Sequence, residues 1–161
     1  MILKGSQRGG AAQLARHLLK TVENEHVELY EVRGFVSDDL PGALHEAYAI
    51  SRGTRCRQFL FSLSLSPPPS ERVPVEVFES AIDEAEGRLG LKDQPRVVIF
   101  HEKEGRRHAH CVWSRIDPDK MDTSIYRVRA ALAVGAMATT VRSLSAWHRR
   151  SWRCGEGLGI R

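Results

Sequence analysis

The stretch "VVIFHEKEGRRHAHCVWSRID", residues 97–117, contains two short apolar segments that are separated by a charged turn. A turn with glycine between two segments rich in β-branched and aromatic residues is typical of a β-hairpin. We therefore predict that residues 96–116 form two antiparallel strands that close around Gly105. Three histidines lie within this hairpin, an unusual placement for residues that only fill a core.

Outward from the hairpin, strand and helix patterns alternate along the chain. Residues 56–66 place apolar side chains in one phase and serines in the other, which predicts a strand with one buried face. Residues 26–35 predict an exposed or edge strand that ends at Gly34, and residues 1–6 predict a short opening strand. Apolar spacing predicts three helices, at residues 11–22, 38–53 and 74–91. This order predicts an α/β (α+β) fold with a central, largely antiparallel sheet and helices packed on it.

The second predicted helix carries end signals at both termini. Ser37 or Asp38 is placed to act as its N-cap, and Gly53 is placed to end it. The third helix has Pro74 near its first turn, where proline is tolerated.

Composition limits the class of protein. A chain of 161 residues fits one domain with one core, and its net charge of +4 suits an anionic partner. Three cysteines without a CxxC pair argue against a disulfide framework and favour a reducing compartment. Neither a signal peptide nor a membrane-spanning run of apolar residues is present in the sequence. We therefore expect a cytoplasmic protein.

The hairpin histidines have the spacing of a metal site. His108 and His110 are two residues apart and so share one face of their strand, and His101 ends the preceding strand across from them. Three imidazoles on one face would hold a metal ion and leave coordination positions free. Trp113 is at an odd offset from His110 and is therefore predicted to face the core. The alternative is that the histidines are exposed hairpin residues without a ligand.

The segment "HEKEGRRHAHCVWSRID" resembles the metal-binding motif of the plasmid-mobilisation relaxases of the HUH endonuclease superfamily, and "SQRGGAAQLARHLLK" resembles their opening segment. The resemblance implies a five-stranded antiparallel sheet and a divalent metal, Mg²⁺ or Mn²⁺, held by the three histidines. It implies a protein that nicks one DNA strand at a plasmid transfer origin and forms a covalent protein–DNA intermediate. The implied partners are single-stranded origin DNA and accessory proteins of the relaxosome.

The residue that would attack the DNA departs from the family pattern. Relaxases usually have a tyrosine near the N-terminal helix, but "QLARHLLK" carries His17, which we interpret as structural, and no tyrosine. Two candidates remain, His26 and Tyr30, and His26 is preferred because some relatives use a histidine through a phosphoramidate link. Glu28 or Glu31 is placed to orient a metal-bound imidazole.

Basic residues near the motif are the candidates for DNA contact, because counterion release favours binding of Lys and Arg to phosphates. They are Arg8, Arg106, Arg107 and Arg115. After residue 121 the chain becomes rich in arginine and loses the family pattern. We predict a relaxase-like nuclease domain at residues 1–121. Residues 122–161 are then an atypical basic segment, either a nucleic-acid-binding tail or a truncated or frame-shifted end, with a slight preference for the second.

The predicted function is therefore a metal-dependent single-strand DNA endonuclease and strand transferase. Two alternatives stay open. One is an accessory protein, or degenerate relaxase, that binds DNA without catalysis. The other is a histidine-metal hydrolase of small phosphoesters.

Overall fold

The computed structural model describes residues 1–21, 25–69 and 71–120. Five strands and three helices lie within these ranges. In chain order they are β1 (Ile2–Arg8), α1 (Ala11–Leu18), β2 (His26–Arg33), α2 (Leu40–Ser51), β3 (Leu60–Ser66), α3 (Val75–Leu89), β4 (Arg96–Lys103) and β5 (Arg106–Ser114). No helix in the described ranges is long and apolar enough to cross a membrane.

The strands form one antiparallel sheet in the order β1-β3-β5-β4-β2. The predicted hairpin is confirmed as β4 and β5, which are joined by Glu104 and Gly105 with φ angles of 54° and 65°. Two consecutive residues with positive φ match the type I′ turn that suits the twist of a hairpin. The predicted edge strand is also confirmed, because β2 pairs on one side only, with β4.

Helices cover both faces of the sheet, which gives the predicted α+β architecture. Helix α3 packs on one face against Phe61, Cys111 and Trp113, so the predicted core position of Trp113 is confirmed. Helices α1 and α2 pack on the other face, around Leu60 and Val112. We call these the α3 face and the α1–α2 face. Strand alternation then assigns His108 and His110, in phase with Val112, to the α1–α2 face.

The helix ends differ in detail from the prediction. The N-cap of α2 is Asp39, not Ser37 or Asp38, and its carboxylate accepts a hydrogen bond from the Gly42 amide at 2.6 Å. Helix α1 ends at Leu18, earlier than predicted. Helix α3 ends at Leu89 and is capped by Gly90, whose φ of 69° is the left-handed conformation that glycine adopts without strain.

A cluster of ion pairs ties β2 and β4 to α3. Arg96 donates from Nε to Glu31 at 2.7 Å and from Nη1 to Asp83 at 2.9 Å, and it also pairs with Glu86. Burial disfavours its charged form, but hydrogen bonds to Glu31 and Asp83 outweigh that effect and raise the pKa of Arg96. Glu86 is only 5% exposed and has a second partner in Arg33, at 2.5 Å. This cluster holds the edge strand to the body of the domain.

Replacing Arg96 by Leu should lower the free energy of unfolding by about 3 kcal/mol, because the buried carboxylate of Glu86 then loses one of its two cationic partners. The matched control is Arg88→Leu, which removes an exposed pair with Glu84 in α3 and should cost less than about 1 kcal/mol. Urea denaturation measures both variants. Equal destabilisation by the two substitutions would contradict a stabilising role for the Arg96 cluster.

Candidate metal centre

The hairpin register brings the three predicted ligands together on the α1–α2 face. His101 pairs directly with His108, and His110 pairs with Ile99, two residues from His101 on the same strand. The ring centroids of His101 and His110 are 4.6 Å apart, and His108 lies 5.3 Å from each of them. One ring nitrogen from each residue can be chosen so that all three lie within 4.8 Å of one another. We refer to these three residues as the triad.

The surroundings of the triad favour neutral imidazoles. His101 is only 4% exposed, and His108 and His110 are half-buried. Desolvation is the largest cause that lowers the pKa of each ring, and the neighbouring histidines lower the pKa of His108 and His110 further. The pKa of His110 falls to about 3. Neutral rings keep the lone pairs that bind a metal ion.

A backbone carbonyl orients His101. Its Nε2 lies 2.7 Å from the carbonyl oxygen of Leu18, at the end of α1. A carbonyl can only accept, so Nε2 carries the proton and Nδ1 offers its lone pair. An outer hydrogen bond of this kind fixes the tautomer of a metal-binding imidazole. Sequence analysis assigned such a role to Glu28 or Glu31. Glu28 pairs with Phe100 and Glu31 with Val98, so both lie on the α3 face.

The donor set fits a divalent metal ion with an incomplete protein coordination shell. Three neutral nitrogen ligands leave positions for water or a phosphate oxygen. Imidazole nitrogen suits first-row transition ions better than Mg²⁺, which prefers oxygen ligands. Of the two ions that the sequence resemblance implied, Mn²⁺ is therefore the better match to these residues.

The two predicted nucleophiles lie on the opposite face from the triad. Val27 pairs with His101, so its neighbour His26, which pairs with Glu102, projects to the α3 face. Tyr30 lies at the β-bulge between Leu29 and Glu31. Its ring contacts Phe100 edge to face, with centroids 5.0 Å apart. The geometry does not bring either residue to the triad, and their assignment as nucleophiles stays a prediction.

A hydrogen bond further disfavours Tyr30 as the nucleophile. Its hydroxyl donates to Glu79 of α3 at 2.6 Å. This bond, followed by desolvation and the charge of Glu79, raises the pKa of Tyr30. A raised pKa reduces the fraction of phenolate, which is the form that attacks phosphorus.

The four arginines predicted to contact DNA separate into two pairs. Arg8 is exposed at the end of β1, and Arg106 is on the same face of β5 as His108. Arg107 lies on the α3 face, with its guanidinium 5.4 Å from the centre of the Phe100 ring. Arg115 is only 6% exposed and donates to the Gln58 carbonyl. Only Arg8 and Arg106 share the face of the triad.

The sequence predicts a structural role for His17 and does not place it in the candidate site. His17 is exposed in the last turn of α1, next to the residue whose carbonyl binds His101. Leu14 and Leu18 are both buried, so position 17 flanks the buried stripe of the helix. The spacing of Leu14 and Leu18 in the sequence places His17 beside the buried stripe of the helix. The sequence does not show which strands that stripe packs against.

Comparison with known families agrees with this geometry. The sequence model of the family described as Relaxase, MobA/VirD2-like, nuclease domain matches residues 15–133. The match confirms the resemblance found in the sequence and covers the second half of α1 and the whole triad. No curated protein matches the sequence significantly. The segment at 122–161 lies outside the described residues, so the boundary at residue 121 stays a prediction.

Replacing His108 or His110 by Ala should weaken Mn²⁺ binding by at least about tenfold. Loss of a residue that only hydrogen-bonds to a metal ligand already weakens binding by about that factor, and loss of a ligand should weaken it at least as much. The physical reason is that two imidazole ligands bind a divalent ion more weakly than three do. Calorimetric titration measures the affinity. His45→Ala is the matched control, because His45 is an exposed histidine on α2 outside the triad. Unchanged affinity in both triad variants would show that these histidines are not ligands.

Proposed function

The chain belongs to the family of MobA/VirD2-like relaxase nuclease domains, and on that basis we propose that it is a metal-dependent single-strand DNA endonuclease and strand transferase. In this proposal it nicks DNA at a plasmid transfer origin and forms a covalent protein–DNA intermediate during conjugative mobilisation. The observation that carries the proposal is the convergence of three imidazoles with lowered pKa on the α1–α2 face of the hairpin. Relaxosome accessory proteins are the proposed protein partners.

The triad would hold the metal ion through His101 Nδ1 and one nitrogen each of His108 and His110. A bound divalent ion supplies charge neutralisation at a non-bridging oxygen of the scissile phosphate. The chain itself supplies the rigid placement of the rings, because two are on one strand and the third is fixed by the end of α1. That placement is made during folding and needs no reorganisation when DNA binds.

A polar surface beside the triad suits a single-stranded backbone. Ser62, Ser64 and Ser66 project from β3 on the α1–α2 face, and all three are half-buried. Ser64 pairs with His110 on one side and with exposed Lys4 on the other. Hydroxyl and ammonium groups bind phosphate oxygens without reading sequence. This row would therefore lead the backbone of the DNA strand towards the metal.

A covalent intermediate fits the strand-transfer part of the proposal. Attack by a side chain on phosphorus exchanges one ester bond for another bond of similar energy, so the broken strand can be rejoined later. Hydrolysis by water would lose that energy. The alternative function is DNA binding without catalysis. It is supported by the position of His26 and Tyr30, because neither of these predicted nucleophiles faces the triad.

Incubation of the full chain with Mn²⁺ and a random-sequence single-stranded DNA library should give a covalent adduct on a denaturing gel. The adduct should disappear in His110→Ala, because the scissile phosphate then lacks its metal, and it should persist in His45→Ala. A mobility shift on a native gel without any adduct would instead favour the accessory protein. Turnover of a chromogenic phosphodiester without DNA would favour the small-phosphoester hydrolase.

Arg8→Gln should weaken binding of the same single strands and reduce the slope of log K against log salt by about 0.7, the contribution of one phosphate contact on single-stranded DNA. Arg107→Gln is the matched control, because it removes the same charge from the α3 face. Fluorescence anisotropy at several salt concentrations measures both variants. An equal loss of affinity and slope in the two variants would contradict the placement of DNA on the α1–α2 face.

A further inference from the structure

We propose that His17 is the nucleophile that forms the covalent link to DNA, an assignment that rests on the relaxase function proposed above. His17 is exposed in the last turn of α1, one residue before the carbonyl that accepts the hydrogen bond of His101. The helix is thus tied to the triad at residue 18, and His17 is the residue that precedes this link. After desolvation, charge on His17 is among the causes that lower the pKa of both His101 and His110, so His17 acts electrostatically on two rings of the triad.

His17 also lines a cleft that can receive a phosphate. The cleft has a volume of about 200 Å³ and is bounded by the end of β1 and one side of α1. Arg8 and Gln13 line it together with His17. The guanidinium and the amide are hydrogen-bond donors, and Arg in particular binds phosphate oxygens in a bidentate manner. One cleft therefore combines phosphate-binding groups with a nucleophilic nitrogen, on the helix whose last carbonyl binds His101.

Other side chains of the described residues are less well placed for attack at the triad. His26 and Tyr30 are on the α3 face. Tyr48 packs on Phe59 at the far end of the sheet, where β3 begins beside Ser114. The hydroxyl of Ser64 is beside His110, but a serine must lose its proton in order to attack, whereas a neutral imidazole attacks through a free lone pair.

The proposed step conserves atoms and charge. One ring nitrogen of neutral His17 donates its lone pair to phosphorus and forms a P–N bond as the P–O3′ bond breaks. The leaving 3′ oxygen becomes a hydroxyl by taking up the proton that the second ring nitrogen releases through water. The products are a 5′-phosphoramidate on His17 and a free 3′-hydroxyl. Attack by that hydroxyl, or by the 3′-hydroxyl of another strand, reverses the step and rejoins DNA.

The test uses the full chain with Mn²⁺ and the random-sequence single-stranded DNA library. Adducts are digested with nuclease and trypsin at neutral pH, because a phosphoramidate is labile in acid. Trypsin cleaves after Arg16 and Lys20, so His17 is recovered in the peptide HLLK, which contains no other nucleophile among His, Tyr, Ser or Cys. His26 and Tyr30 are recovered together in a separate peptide, residues 21–33. Mass spectrometry then identifies the peptide that carries the nucleotide.

The expected result is a nucleotide on HLLK, an adduct that acid removes, and loss of the adduct in His17→Ala with Mn²⁺ binding retained. His17→Tyr should form an adduct that survives acid, because tyrosine makes a phosphate ester in the same position. His45→Ala, with its exposed histidine on α2, should keep the adduct. A nucleotide on residues 21–33, or an adduct that persists in His17→Ala, would overturn this inference and leave the relaxase function standing. The absence of any adduct from the intact chain would overturn the relaxase function itself, and this inference with it.

Discussion

The two-residue turn between β4 and β5 sets the register on which the candidate site depends. Glu104 and Gly105 both have positive φ, and with this turn His101 faces His108. Side chains alternate along a strand, so a slip of one residue would move His108 and His110 to the α3 face. The same slip would remove Trp113, which is fully buried, from the core on the α3 face. The packing of the core therefore enforces the geometry of the triad.

The link between His101 and Leu18 couples this hairpin to α1. A buried imidazole needs a partner for its N–H group, and the last turn of a helix has carbonyls without partners inside the helix. The contact satisfies both needs with one hydrogen bond. Desolvation lowers the pKa of the rings, so folding brings three ligand nitrogens within 4.8 Å of one another without a buried charge. The histidine side chains lose their conformational freedom when the domain folds, so metal binding does not have to order them.

Local periodicity explains which features could be predicted from the sequence. The hairpin, β3 and the three helices each have a pattern within fewer than twenty residues, and the triad follows from the spacing within the hairpin. The face of His26 could not be predicted, because it depends on the pairing of β2 with β4 and on a bulge at Leu29. Arg115 resembled a DNA-contacting residue in sequence, but it folds back on Gln58 where β5 ends.

The surface beside Tyr30 differs in charge from the surface beside the serine row, and this bears on how DNA can approach. On the α3 face, the surface beside Tyr30 is formed largely by carboxylates, those of Glu31, Glu76, Glu79 and Asp83. Arg96 neutralises part of this charge, but it is mostly buried within its ion pairs and presents little cation to solvent. A phosphate backbone would be repelled there. On the α1–α2 face, Lys4 and Arg8 are exposed beside the serine row, and the triad carries no charge of its own. The charge near these residues thus favours the same face on which the hairpin register places the triad, in agreement with the nucleophile on α1 that we propose.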